Sequence, residues 1–167
     1  MTKSKMMNGG ILPLPSNGAP GTRRVIKGQG GITFDVNGQP DQVWTRYGHD
    51  APNPWLNKPM PNVTYYVGAN LKQLAKGVRL KHIYRIASDG TTASAEAVAI
   101  RAYSKALAGE RWQKYVCQPV ASPGGEFDRG HLIAAEFGVG MESINLVTMP
   151  ASVNRLHRAT TAMRRRQ

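Results

Sequence analysis

Apolar and polar residues alternate in three short stretches of the first half of the chain. Their apolar positions are Ile32, Phe34 and Val36, then Val63, Tyr65 and Val67, then Leu80, His82 or Ile83, Tyr84 and Ile86. A period of two is typical of strands that bury one face. Asn37-Gly38 follows the first stretch and Asp89-Gly90 follows the third, and both pairs favour tight turns. The pattern predicts a hairpin around Gly38 and two further strands closed by the turn at Gly90.

Two segments have the composition of helices. Residues 92–112 are rich in alanine, with apolar side chains such as Ala95 and Val98 near one face and Gly109 where a helix could end. No proline follows Pro150, and Ser152 is a suitable N-cap for a last helix that runs to the C-terminus. These two helices are therefore expected beside the strands.

Other segments lack a regular pattern. Residues 8–31 are rich in Gly, Pro, Asn and Ser, which predicts a flexible N-terminal leader over residues 1–31. Residues 49–63 contain four prolines, which predict a wrapping loop without a regular element. The chain of 167 residues, 41% of them hydrophobic, is long enough for one core. We expect an α+β domain over residues 32–167, with a small antiparallel sheet and flanking helices.

The net positive charge of the chain indicates a class of binding partner. The chain has 22 Lys and Arg against 10 Asp and Glu, a formal net charge of +12, and such a surface attracts polyanions. Nucleic acid is the first partner to consider, although ribosomal proteins, membrane-surface binders and ordinary basic domains share this property. Cys117 is the single cysteine, which excludes an internal disulfide and a thiolate zinc cluster. No apolar run has the length of a signal peptide or a membrane span, so we expect a soluble chain.

Candidate chemistry begins with four adjacent residues, Asp128, Arg129, Gly130 and His131. A histidine can take a proton from water near neutral pH when an acceptor fixes its tautomer, which makes His131 the candidate general base. Arg129 offers a planar fork for phosphate oxygens, Gly130 permits a tight turn, and Asp128 could orient a neighbour or support a metal site. The alternative is that His131 is a structural histidine at the edge of the core.

Two asparagines follow at a suggestive spacing. Asn145 and Asn154 lie nine residues apart with a proline between them, so a strand, turn and helix could return both to His131. An amide oxygen is a hard neutral ligand of the kind that hydrated Mg²⁺ accepts. The alternative interpretation is a turn residue and a helix-start residue, since asparagine favours both positions.

These motifs carry a family resemblance. "DRGHLIA" followed by "INLVTMPASVN" resembles the DNA/RNA non-specific endonucleases of the His-Me finger (ββα-metal) class, especially the branch found as secreted bacterial toxin domains. The match covers Asp128 to Asn154, within a motif core of residues 126–167, and is looser from Val63. It implies His131 as general base, Asn154 as the sole direct protein ligand of a hydrated Mg²⁺ for which Mn²⁺ can substitute, and Asn145 as a supporting polar group. It also implies Arg129 at a phosphate and Asp128 as a partner of the metal site.

One position departs from the family pattern. The glutamate expected on the helix after Asn154 is replaced by Ala162, whereas Arg166 stands at the arginine position. Glu136 or Glu142 could take the glutamate's place, or metal affinity is lower. Arg166 is expected to act beside Arg129 in catalysis, with one of Arg79, Arg85 or Arg101 as a further helper. Arg158 and Arg164 are expected to bind nucleic acid, although the run from Arg164 to Arg166 also suits a solvated helix end.

The resemblance implies an endonuclease with little sequence specificity that hydrolyses phosphodiester bonds in DNA, with RNA as a second substrate class. Family members of this branch are antibacterial effectors, which implies a cognate immunity protein, a delivery module, and secretion without a cleavable signal into the cytoplasm of a target cell. Two alternatives stay open. One is a nuclease toxin restricted to RNA, and the other is a catalytically inactive basic nucleic-acid-binding protein.

Overall fold

The computed structural model describes residues 11–48, 51–97, 125–134, 137–140 and 142–155. These residues have mixed α and β content, with a six-stranded sheet, a two-stranded sheet and few helices. The strands are β1 (Arg23–Ile26), β2 (Gly30–Phe34), β3 (Pro40–Arg46), β4 (Thr64–Gly68), β5 (Lys81–Ile86), β6 (Thr92–Ala97), β7 (Phe127–His131) and β8 (Leu146–Pro150). The helical elements are α1 (Pro54–Asn57), α2 (Leu71–Ala75), a 3₁₀ turn at Ser143–Asn145, and residues 151–155. None of the described helices is long and apolar enough to cross a membrane.

The larger sheet is mixed rather than antiparallel throughout. Its strands lie in chain order from β1 to β6, and every neighbouring pair is antiparallel except β3 and β4, which run parallel. The hairpin predicted around Gly38 joins β2 to β3, and Gly38 has a positive φ of 77°. Parallel neighbours need a long crossover connection, and the proline-rich segment provides it. The expected small antiparallel sheet is therefore corrected to a six-stranded mixed sheet beside a two-stranded antiparallel one.

The proline-rich segment contains a single helical turn, so the prediction of no regular element there is wrong. Pro54 opens α1, where the missing N–H costs nothing, and the side chain of Asn53 accepts a hydrogen bond from Trp55 N at 3.0 Å. Trp55 and Leu56 are both buried. The Asn53 cap and the burial of Trp55 and Leu56 thus stabilise a short helix, which the four prolines made difficult to predict from the sequence.

Two strands lie where none was predicted. Arg23–Ile26 forms β1 and pairs with β2, so part of the expected leader belongs to the sheet. Thr92–Ala97 forms β6 and pairs with β5 across the turn at Gly90, so the start of the alanine-rich helix is wrong. Pairing with a neighbouring strand outweighs alanine's preference for helix at these positions. The remainder of that predicted helix lies outside the described residues.

The core connects the two sheets. The predicted alternation is confirmed for Ile32 and Phe34 in β2 and for β4 and β5, whose inward side chains are buried. Val36, expected on the same face, lies after the end of β2 and is 82% exposed, so that position was predicted wrongly. The same hydrophobic cluster includes Ile133, Val139 and Ile144, which come from the connection between β7 and β8. Burial of these three side chains fixes the second hairpin against the larger sheet, and the residues of the motif lie on that hairpin.

Candidate functional site

Strand β7 carries three of the predicted site residues. It pairs antiparallel with β8, so that Asp128 lies opposite Met149, Arg129 opposite Thr148 and His131 opposite Leu146. Because side chains alternate along a strand, Arg129 and His131 share one face, and Asp128 belongs to the other. Asp128, Arg129 and His131 are all partly buried. The strand therefore holds a carboxylate, a guanidinium and an imidazole at the boundary between core and solvent.

Gly130 serves close packing rather than a tight turn. It lies inside regular β7, it is buried, and it is not among the glycines with a positive φ. The side chain of Met149 lies across it, and a Cβ at this position would overlap the Sδ and Cε atoms of Met149. The predicted backbone turn at this position is therefore wrong, and the glycine is required because of a neighbouring side chain.

Asn154 is joined to β7. The helical residues begin at 151, directly after β8, and Ala151 N donates to the carbonyl of Glu126 at 2.7 Å. Nδ2 of Asn154 lies 3.3 Å from Oδ2 of Asp128 and 3.5 Å from the carbonyl oxygen of Arg129. The structure thus brings the predicted metal ligand to the strand that holds the predicted base. The helix begins at Ala151, so Ser152 lies inside the first turn and is not the predicted N-cap.

Arg155 is a further residue of the site that the motif does not indicate. Its Nε lies 3.4 Å from Oδ2 of Asp128, the same oxygen that Asn154 approaches. The Arg155 side chain is 69% exposed and that of Asp128 is 27% exposed. The Asp128 carboxylate therefore connects the strand to two successive residues of the helix. Its separation from Arg155, 27 residues along the chain, left no local signal in the sequence.

Asn145 has a structural role next to the motif. It is fully buried at the end of the 3₁₀ turn. Its Oδ1 accepts from Ile133 N and its Nδ2 donates to the carbonyl of Ile133, both at 2.9 Å. Its own carbonyl accepts from Leu132 N at 2.9 Å. The expected supporting polar group thus fixes the backbone that directly follows His131.

Glu142, named above as one possible replacement for the family's glutamate, has a structural role in the core. The side chain is fully buried, and its Oε1 accepts hydrogen bonds from Gly48 N at 2.8 Å and Asn53 N at 3.2 Å. Burial raises the pKa of this carboxyl above its usual range, with the two amide donors acting in the opposite direction. The carboxylate connects the segment before the 3₁₀ turn to the loop before α1. Its expected contribution to the metal site is therefore corrected to a link within the core.

His82 is a structural residue of the larger sheet. It is 1% exposed, and its Nδ1 lies 2.9 Å from the hydroxyl oxygen of Tyr47. That hydroxyl oxygen lies 2.6 Å from the hydroxyl of Tyr84. Burial lowers the pKa of His82 to about 4. The imidazole is therefore neutral at pH 7.

Several predicted residues are placed elsewhere or lie outside the described part of the chain. Arg79 contacts the carbonyls of Leu74 and Val78, and Arg85 forms an ion pair with Glu96 on the larger sheet. The residues outside are Arg101, Glu136, Arg158, Ala162, Arg164 and Arg166. The catalytic part proposed for Arg166 and the nucleic-acid contacts proposed for Arg158 and Arg164 stay predictions.

The face of β7 that carries Arg129 has a small pocket beside it. Arg129, Leu146, Val147 and Thr148 line it together with Ser143. Arg129 and Thr148 are register partners, so each strand contributes one polar residue to the lining. The side chains of both residues can donate hydrogen bonds, the kind of group that binds an anionic oxygen.

The oxygen donors around Asn154 determine which metal would fit. Among the described residues, no group of three or more His, Cys, Asp and Glu could hold a metal ion. The hydrogen bonds of Asn154 to β7 use Nδ2, and within the part of the chain that the structure describes Oδ1 is the atom of this amide that could bind a cation. A neutral amide oxygen next to a carboxylate fits a hydrated Mg²⁺ ion, which keeps several of its waters. The donor set therefore fits the ion that the family resemblance implies.

Comparison of the chain with protein-family models, with curated proteins and with solved structures found no match in any of the three.

Proposed function

We propose that this protein is a metal-dependent endonuclease that hydrolyses phosphodiester bonds in DNA with little sequence specificity, and that it also accepts RNA. The contact of Asn154 with Asp128 and with the backbone of β7 is the observation that carries the proposal. It joins the helix that begins at residue 151 to the strand of His131. Two antiparallel strands followed directly by a helix are the framework that a ββα-metal site requires.

Each residue has a distinct part in the proposed reaction. His131 takes the proton from the attacking water, and Arg129 binds a phosphate oxygen from the face that it shares with His131. Asp128 orients the amide of Asn154, which would hold Mg²⁺ through Oδ1. Bound there, Mg²⁺ would neutralise negative charge on the reacting phosphate. Because these groups address the phosphate and not the bases, cleavage is expected to depend little on sequence.

Plasmid cleavage tests the proposal. The purified chain is incubated with supercoiled plasmid in Mg²⁺, in Mn²⁺ and in EDTA, and His131→Ala and Asn154→Ala are assayed in parallel. Asn37→Ala is the matched control for Asn154→Ala, because Asn37 is an exposed residue of the hairpin between β2 and β3. We expect metal-dependent nicking that both site variants lose and the control keeps. Retarded but intact plasmid under every condition would instead identify an inactive basic binder.

Substrate class requires a second arm of the same assay. Duplex DNA and single-stranded RNA of matched length are digested under the conditions that support plasmid cleavage. The proposal expects both to be cut, since the attacked phosphodiester is common to them. Cleavage of RNA with DNA left intact would replace the proposal by an RNA-restricted nuclease.

We also propose that the protein acts as an antibacterial effector with a delivery module and an immunity protein. An active enzyme of this kind is toxic to the cell that makes it, so a neutralising partner is required. Expression of the chain alone in a bacterial cytoplasm should cause DNA damage that His131→Ala abolishes. Free growth without DNA damage, from a chain that cleaves plasmid in vitro, would contradict the effector role while leaving the nuclease intact.

A further inference from the structure

The outer face of the larger sheet carries aromatic side chains that are not part of its core. Trp44 on β3 and Tyr66 on β4 are register partners, and Tyr66 is in turn the partner of Ile83 on β5. All three are half-buried, whereas the alternate residues of the same strands, such as Tyr65 and Tyr84, are fully buried in the core. We call Trp44, Tyr66 and Ile83 the outer platform.

The indole of Trp44 has a place made for it on the neighbouring strand. Gly31 is its register partner on β2, and a Cβ at Gly31 would overlap the six-membered ring of the indole. The ring therefore extends over the backbone of Gly31. The guanidinium carbon of Arg23, on β1, lies 4.1 Å from the centroid of the Trp44 ring. Strands β1, β2 and β3 thus combine into one stacked cation and aromatic pair.

Positive charge surrounds the outer platform. Nζ of Lys81 lies 5.4 Å from the ring of Tyr66, and Arg46 is an exposed residue two positions after Trp44 on the same face. Arg85 is on this face as well and is paired with Glu96. The six strands contain two acidic residues: alternation places Glu96 on the outer face, and Asp41 is exposed at the irregularity in the pairing of β2 with β3. Arg23, Arg46 and Lys81 consequently leave the face with a net positive charge.

We propose that the outer platform is a binding site for single-stranded nucleic acid. Unpaired bases present a π-face that can stack on Trp44 and Tyr66, and their phosphates carry the charge that Arg23, Arg46 and Lys81 complement. A duplex has its bases stacked within the helix and offers only its backbone and groove edges to a sheet face. The site is separate from the residues of β7 and β8, and its existence does not depend on the proposed nuclease activity.

The binding experiment removes catalysis from the measurement. Fluorescence anisotropy follows a short labelled oligothymidylate, a matched oligouridylate and a matched duplex, all in EDTA at moderate salt. Two double variants each remove two positive charges. Arg23→Ala with Lys81→Ala removes the cations that lie over Trp44 and Tyr66 of the outer platform. Arg24→Ala with Lys27→Ala takes exposed cations from the opposite face of β1 and from the turn that follows it. The first pair should weaken single-strand binding about tenfold more than the second.

Aromatic variants test stacking directly. Trp44→Leu and Tyr66→Leu keep apolar volume on the sheet but remove the π-face, and each should weaken binding about tenfold without changing the salt dependence. Circular dichroism and a thermal melt check the fold of each variant. If either variant fails to fold, stacking is tested in the unaltered protein, where oligothymidylate should quench tryptophan fluorescence. The quenching should be weaker in the variant that lacks Arg23 and Lys81.

Two outcomes would overturn the site. Equal weakening by the two charge-matched pairs would mean that the net charge of the chain, and not this face, binds the strand. Duplex binding as tight as single-strand binding, with the same sensitivity to Trp44→Leu, would remove the assignment to unpaired bases.

The remaining measurements define the site further. Comparison of the affinities for oligothymidylate and oligouridylate decides whether the site favours DNA or RNA. Loss of plasmid cleavage in His131→Ala, with oligothymidylate binding unchanged, would separate this site from the proposed active site.

Discussion

The side-chain amide of Asn145 makes both of its hydrogen bonds with the backbone of Ile133. Oδ1 accepts from the N–H and Nδ2 donates to the carbonyl, each at 2.9 Å. Both residues are buried, and Ile133 is part of the main hydrophobic cluster. This pairing closes the connection between β7 and β8 two residues after His131. It replaces the backbone pairing that the strands no longer provide beyond their ends.

Replacing Asn145 by alanine should destabilise the fold. The change leaves the N–H and the carbonyl of Ile133 buried without their partner, at a cost of about 2–4 kcal/mol in the free energy of unfolding. Denaturant unfolding of Asn145→Ala, compared with the exposed Asn37→Ala, measures the difference. A loss no greater than that of the control would mean that water or a neighbouring group satisfies Ile133, and that Asn145 does not hold the hairpin.

A side chain at Gly130 should conflict with the side chain of Met149. Gly130→Ala places a Cβ against the end of the Met149 side chain, and crowding of this kind costs about 1–3 kcal/mol. Met149→Ala alone opens space, whereas the double variant should recover part of the loss. A double-mutant cycle in denaturant gives the coupling energy, which we expect to exceed about 0.5 kcal/mol. Additive effects would show that the backbone of Gly130, not the methionine, requires glycine.

The strands that the sequence predicted correctly are those whose inner face is buried. In β2, β4 and β5 burial of alternate residues imposes the period of two. Strand β1 has three exposed residues out of four and so carries no such period, although it completes the sheet edge. Strand β6 is half alanine, and local propensity suggested a helix where pairing with β5 decides the outcome. In these two strands, tertiary context and not composition determines the structure.

Some residues of the candidate site could be predicted from the sequence and others could not. Asp128, Arg129 and His131 are adjacent in the sequence and share one strand, so a local motif was sufficient to find them. The ion pair of Asp128 with Arg155 joins residues 27 positions apart, and the contact of Glu142 with Gly48 joins residues 94 positions apart. Contacts at such separations depend on how the two sheets pack. No periodicity or spacing in one sequence carries that information.

Stability should fall as the pH decreases from about 6.5 towards 4. The pKa of His82 is lowered to about 4 in the folded state, so between these values the unfolded chain binds a proton that the folded chain does not. The contribution of His82 to the free energy of unfolding should therefore decrease by about 1.4 kcal/mol for each pH unit in this window, and that contribution is fully present above pH 6.5. His82→Gln should flatten the dependence, as measured by denaturant unfolding at several pH values.

Glu142 opposes His82 above the usual pKa of a glutamate. Its pKa is raised by burial, so the unfolded chain loses this proton first as the pH rises, and the carboxyl lowers stability above its usual pKa. Glu142→Gln removes this titration and should make the dependence on pH steeper than in the unaltered chain. A curve unchanged by Glu142→Gln would mean that this carboxyl titrates equally in the folded and unfolded states.

Asp128 and Arg155 share one ion pair, but their replacement should have different consequences. Arg155 is 69% exposed and lies 3.4 Å from the carboxylate, so Arg155→Ala should change the free energy of unfolding by less than about 1 kcal/mol.

Asp128→Ala also releases the amide of Asn154, and groups that orient a metal ligand typically contribute about 10–100-fold to affinity or activity. If the proposed nuclease function is correct, Asp128→Ala should lower plasmid cleavage by such a factor and increase the Mg²⁺ concentration required. Arg155→Ala, with the same contact removed from the other side, should retain the Mg²⁺ requirement of the unaltered chain. Titration of both variants with Mg²⁺ distinguishes the two roles, and an equal shift in both would mean that the ion pair, not the contact with Asn154, positions the site.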